Sequence, residues 1–209
     1  MFNFHEMLVN RQQCIYYHAE KFTNATKGWI GGNIPEFFIT QDEFLKEYNR
    51  EYLFYLSILN PFDNQKMFSI FIPRDEDQLF ERNIYPNCSL LIYEHTRSRE
   101  STNTDFTNIN ITKHALSEGT VAVNQTTKSN DYLVKFGGTP DLIQEESYYY
   151  RELHENSYDF LFQIDEDGYL NEVDFVKGNY SLCFGAIYIY AKIAGNSVKE
   201  PCVGYWQYS

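Results

Sequence analysis

Three features of the sequence predict an α+β fold that is β-rich and internally duplicated. The expected form is two pseudo-equivalent halves of mostly antiparallel sheet sharing one core, with an N-terminal helix. Aromatic residues make up 18% of the chain, with 18 Tyr and 17 Phe, and such side chains pack well on a pleated surface. The apolar runs are short and bounded by turn residues, as strands are. A set of motifs in the first half also recurs in the same order in the second, the mark of an internal repeat.

Residues 3–20 come first. Phe4, Met7, Leu8, Ile15 and Ala19 recur at helical steps, which predicts a helix there. Gly31-Gly32 and Pro35 then break the chain, since Gly-Gly admits positive φ and proline restricts the residue before it. Thr40 and Glu43 have the spacing of a capping box, so a short helix is expected over 41–49. Tyr52–Leu59 and Met67–Ile72 read as strands joined by a turn at Asn60-Pro61, and Cys88–His95 as a third. Residues 96–130 are rich in Ser, Thr and Asn, with one candidate helix at Thr112–Ser117.

The second half repeats this plan. FGGTP (136–140) answers IGGNIP (30–35), YDFLFQI (158–164) answers EYLFYLSI (51–58), and LCFGAIYIYAKI (182–193) answers KMFSIFIP (66–73). Nineteen residues separate Pro35 from Phe54, and twenty separate Pro140 from Phe160. Cys202–Tyr208 adds a last strand. The division expected is one domain over 1–209, with a first half at 28–95, a polar connection at 96–134 and a second half at 135–209.

Charge narrows the function classes. The formal net charge is −12, and Asp141 to Asp174 holds eleven acidic residues against the single base Arg151, so −10 of the −12 sits in that window. Such a field repels nucleic acid and attracts basic proteins. No apolar run reaches the roughly 18 residues of a membrane span, and the first residues lack the basic and apolar regions of a secretory signal. A cytoplasmic location is therefore expected. Cys14, Cys88, Cys183 and Cys202 form no CxxC pair and are read as reduced, mostly buried thiols.

GGTPDLIQ (137–144), FLFQID (160–165) and GAIYIYA (185–191), in that order, resemble the second half of the YwqG-like family of bacterial proteins of unknown function. FSIFIPRDEDQLF (68–80) followed by SLLIYEH (89–95) is similar to that family's first half. The resemblance covers residues 28–193. It implies an α+β fold with duplicated, mostly antiparallel sheets. Members often lie in loci encoding polymorphic toxins and their immunity proteins, which implies a binding role.

The candidates for chemistry mostly fail on spacing. Asp165-Glu166-Asp167-Gly168 starts like a calcium loop, but the sixth and twelfth places hold Leu170 and Val176 where Gly and Glu are needed. It reads as a solvated acidic turn. Gly137-Gly138 lacks the following GK[ST] of a phosphate loop. The histidines are scattered, and Cys183 reads as a core residue of an apolar strand. No catalytic residue, metal or cofactor is expected.

What stands out is an acidic, tyrosine-rich surface: Glu145, Glu146, Tyr148, Tyr149, Tyr150, Glu152 and Glu155, with Asp165, Glu166 and Asp167 nearby in sequence. Tyrosine is enriched at interface hot spots and acids steer basic partners. The expected role is a non-catalytic immunity (antitoxin-like) protein that binds and neutralises a cognate, basic toxin, with no nucleic-acid or membrane partner. The alternative is an enzyme or small-ligand protein with a pocket between the halves.

Overall fold

A computed structural model describes residues 3–21, 26–124, 132–169, 176–177 and 180–208. A five-residue helical turn, His5–Val9, opens the described chain. The strands and helices follow in order: β1 (Gln13–Tyr17), β2 (Ala19–Glu20), β3 (Gly28–Ile30), α1 (Glu36–Ile39), α2 (Asp42–Tyr48), β4 (Tyr52–Asn60), β5 (Asp63–Pro73), α3 (Glu76–Glu81), β6 (Leu91–Thr96), β7 (His114–Leu116), β8 (Thr120–Val123), β9 (Val134–Gly137), α4 (Arg151–Glu155), β10 (Asp159–Asp165), β11 (Ala186–Ala194) and β12 (Ser197–Gln207).

The strands form two six-stranded sheets, ordered β2-β7-β3-β4-β5-β6 and β8-β1-β9-β10-β11-β12. Every pairing within them is antiparallel. Each sheet carries four sequence-consecutive strands side by side, β3 to β6 in one and β9 to β12 in the other. Each also has a Gly-Gly turn at the end of the first of those strands and short helical segments before the second, α1 and α2 in one and α4 in the other. The two turns share one backbone shape: φ is 65° and 72° at Gly31 and Gly32, and 75° and 66° at Gly137 and Gly138. Only glycine adopts these values without strain.

A side chain at Gly31 would also place its Cβ 2.8 Å from the Ile111 carbonyl oxygen, whereas one at Gly195 (φ 59°) would meet nothing within 4 Å. Gly195→Ala is therefore expected to cost about 1 kcal/mol, the left-handed penalty alone. Gly31→Ala is expected to cost about 2 kcal/mol, because the carbonyl must also shift. Urea denaturation of the two variants measures the difference, and equal costs would contradict it.

The sheets face each other across one core. Phe68 of the first sheet meets Phe136 and Phe162 of the second at ring-centroid distances of 6.2 and 5.6 Å, and Phe136 stacks on Phe162 at 4.9 Å. The outer faces are covered as well. Phe38 of α1 and Phe44 of α2 pack with Trp29, Phe54, Phe71 and Phe106 on the first sheet. Leu153 of α4 packs with Tyr188, Tyr190 and Tyr205 on the second. Burial on both faces explains why Tyr52–Leu59 is apolar apart from Ser57 and lacks the alternation of a half-buried strand. The halves are also stitched at an edge: Tyr85 and Trp206 donate backbone N–H groups to Gly204 and Asn83 (2.6 and 3.0 Å), and the Trp206 indole donates to the Leu79 carbonyl (2.9 Å). The segment after α3 thereby covers the open edge of β12.

Several sequence expectations change. The helix foreseen over 3–20 stops at Val9, and residues 13–20 are strands. Arg11 takes a left-handed φ of 58°, and its guanidinium donates to the carbonyls of Phe160 (2.6 Å) and Gly138 (3.2 Å), which turns the chain out of the helix. Thr40 does not cap α2; its hydroxyl bonds back to Phe37, and Gln41 is the N-cap. The candidate helix at Thr112–Ser117 holds strand β7 (His114–Leu116), which pairs with β3 on the side away from β4. The 96–134 stretch therefore supplies one strand to each sheet, β7 to the first and β8 to the second.

Candidate functional site

The acidic, tyrosine-rich stretch runs over the outer face of the second sheet, and buried anchors hold it there. At its start, Asp141 accepts from the ammonium of fully buried Lys135 (2.8 Å) and from the Tyr132 hydroxyl (2.5 Å). The Gln163 side chain completes the group: its carbonyl accepts the Asp141 N–H at 2.7 Å, and its amide donates to Tyr132 at 3.0 Å. Burial, and donation to Asp141, push the Tyr132 phenol far above its ordinary range. Next, the N–H groups of Ile143 and Gln144 donate to the Gln207 side-chain oxygen (3.0 and 3.1 Å). Tyr149 then donates to Gln144 Oε1 (2.6 Å) while its ring lies 5.2 Å from that of Tyr205. Leu153, fully buried, closes the row.

Between these anchors Glu145, Glu146, Tyr148, Glu152 and Glu155 point to solvent. Tyr148 is 51% exposed and stacks on Tyr149 at 4.4 Å. Helix α4 is a single turn, with Leu153 inward and Glu152 and Glu155 outward. Of the charge window, Glu172 and Asp174 lie outside the described residues.

The remaining predicted site residues do not join this surface. Tyr149 is 4% exposed and is an anchor, and Tyr150 is half-buried. Asp165 and Glu166 are each 1% exposed, which corrects the expectation of a solvated acidic turn. Asp167 is exposed, but it follows the far end of β10 from α4. Glu166 lies inside the protein because the loop after it supplies donors. Its Oε1 accepts from the Leu182 N–H (2.9 Å) and the Tyr169 hydroxyl (3.1 Å), and its Oε2 from the Phe184 N–H (3.0 Å). Tyr55 from the first half reaches the same group, its hydroxyl 2.5 Å from that of Tyr169. Burial pushes the Glu166 carboxyl up to about 7, against the opposing pull of its donors. The loop adopts this shape with two successive non-glycine residues at positive φ, Cys183 (51°) and Phe184 (60°). Such positions persist only where surrounding contacts impose them. Cys183 is accordingly exposed in a turn and is not a core strand residue.

A serine–histidine contact exists that the sequence did not signal. Ser69 Oγ lies 2.7 Å from His95 Nε2 and 2.6 Å from Ser57 Oγ, while His95 Nδ1 donates to the Thr96 carbonyl (2.8 Å). This has the form of an activated nucleophile. Ser57 and Ser69 are, however, fully buried, and Phe37 stacks on the His95 ring at 4.8 Å, so no substrate can approach. It is a polar thread through the first sheet. Burial lowers the His95 pKa, in keeping with a neutral ring.

The seam between the halves is filled by the Phe68–Phe136–Phe162 cluster. At one end of it a cavity of about 310 Å³ opens beside Arg74, Glu76, Asn110, Tyr180 and Cys183. Among the described residues that line it, Glu76 is the single carboxylate and none is a histidine. Among the described residues no group of three or more His, Cys, Asp or Glu could hold a metal ion, and no helix is long and apolar enough to cross a membrane. No protein-family model matches the chain, and no curated protein matches it either.

Proposed function

We propose that this chain is a non-catalytic binding protein of the immunity type, which neutralises a basic protein toxin through the face formed by Glu145, Glu146, Tyr148, Glu152 and Glu155. The observation that carries the reading is the way these exposed side chains alternate with buried anchors along one segment. A face held in place before binding loses less entropy when the partner docks. Four carboxylates around an exposed tyrosine combine electrostatic steering with an aromatic contact. A toxin that acts on nucleic acid needs a basic groove, and an acidic inhibitor is its natural counterpart. The resemblance of residues 28–193 to YwqG-like proteins supports the same class. Tyr149, Asp165 and Glu166 have no part in the contact, since the fold consumes them.

The test begins with capture of partners from the native host lysate at low and high salt. The expected result is one basic protein, held at low salt and released at high salt, because exposed charge pairs are screened beyond about 8 Å at physiological ionic strength. With that partner purified, the variant carrying Glu→Lys at positions 145, 146, 152 and 155 is expected to bind more than about tenfold more weakly, chiefly through slower association. Unchanged affinity would reject this face as the interface. No partner at either salt would reject the immunity reading.

A further inference from the structure

The first sheet carries a pocket whose charge is opposite to that of the protein as a whole. A cavity of about 470 Å³ opens where the start of β3, the end of β4 and the chain just after β6 come together. Trp29, Leu59 and Met67, all buried, belong to its lining, as do Lys27, Arg97 and Arg99. The volume lies in the range of small-molecule sites, which pair an apolar lining with a few placed polar groups.

The cations are available to a ligand. Arg97 makes no ion pair among the described residues. Lys27 is paired with Glu118, whose side chain is 73% exposed, and Arg99, 84% exposed, with Glu36. Exposed pairs of this kind are worth little and exchange readily. The one carboxylate in the lining, Glu100, is held by Lys113. Ser98 accepts the Phe37 N–H, which leaves its hydroxyl hydrogen free to donate. Arg97, unpaired among the described residues, with Lys27 and Arg99 in exchangeable outer pairs and the one lining acid neutralised, suits the double negative charge of a phosphate monoester better than the single charge of a carboxylate. The apolar side chains suit a flat ring attached to it.

From this arrangement we infer that the pocket binds a small, ring-bearing phosphate monoester, with Arg97 as the principal phosphate contact. The site is independent of the acidic segment, which lies on the other sheet. Calorimetric titration of the full chain with AMP and phenyl phosphate, and with adenosine, phenol and inorganic phosphate as the separate parts, tests it. At least one of the two monoesters is expected to bind, with its separate parts about tenfold weaker or more. Arg97→Ala is expected to lower that affinity by about tenfold or more, and Arg97→Lys by less, since lysine keeps the charge and loses the fork. Because Arg97 is exposed and its side chain makes no ion pair among the described residues, the melting temperature of these variants should match that of the parent. Failure of both monoesters to bind at millimolar concentration would overturn the inference. So would inorganic phosphate binding as tightly as the monoesters (an adventitious ion only), or unchanged affinity in Arg97→Ala.

Discussion

Replacing Asp141 with alanine is expected to destabilise the protein by about 3–5 kcal/mol, because it leaves the Lys135 ammonium buried without its counter-charge. Lys135 has no exposed surface, and Asp141 is its ion-pair partner at 2.8 Å. The same change removes the acceptor of the Tyr132 hydroxyl. Two buried donors are then stranded at once, each costing about 1–3 kcal/mol, more where charged. The double change Lys135→Met with Asp141→Asn removes both charges and is expected to recover most of the loss, since buried ion pairs replaced together are often neutral. Urea denaturation of the two variants measures this. A cost below about 1 kcal/mol for Asp141→Ala would show that the pair does not hold the acidic segment to the sheet. The consequence reaches function, since Asp141 is the first anchor of the proposed binding face.

The second large effect is one of pH. The Glu166 carboxyl rises from an ordinary 4.5 to about 7 in the folded chain. The folded state therefore holds this proton more tightly than the unfolded state. Its stabilising effect is complete below about pH 4.5 and is lost as pH rises through about 7. The shift corresponds to about 3 kcal/mol between those limits. The Glu166 contribution should thus fall between pH 5 and pH 8, while the buried, neutral His95 acts in the opposite sense over the same window. Glu166→Gln cannot titrate, so its stability should be flatter over the same window, although it loses one of the two backbone bonds from Leu182 and Phe184. Chemical denaturation of both proteins at pH 5, 6, 7 and 8 tests the expectation. Parallel pH profiles would assign the slope to other groups. Tyr55 and Tyr169 do not contribute, since burial keeps both phenols neutral far above this range.

Much of the fold was legible because it depends on local pattern. The runs at 52–59, 67–72, 158–164 and 182–193 lie in or overlap β4, β5, β10 and β11, and their two-face apolarity reflects sheets covered on both sides. The repeated Gly-Gly turns were legible too, since their conformation excludes other residues. The N-terminal segment was not. Apolar residues at helical steps in 3–20 fit two structures, and the choice fell to a long-range bond from Arg11 to Phe160 and to the unpaired edge of β9.

The candidate site divides in the same way. Composition alone placed an acidic, tyrosine-rich segment on the protein and located it between the second Gly-Gly turn and the following strand. Burial then sorted its members. Glu145 and Glu146 stay in water, while Glu166, equally acidic in sequence, is enclosed by Leu182, Phe184, Tyr169 and Tyr55. A carboxylate is stable inside a protein only when donors converge on it, and here they converge because the loop at 182–184 folds back over Glu166 while Tyr55 of the first half reaches Tyr169. The same reason applies to Lys135, which reads as a surface residue until Asp141 folds over it. Local chemistry was enough to specify strands, turns and net charge; which charges stay in water and which hold the core depended on where the folded chain brought its hydrogen-bond donors.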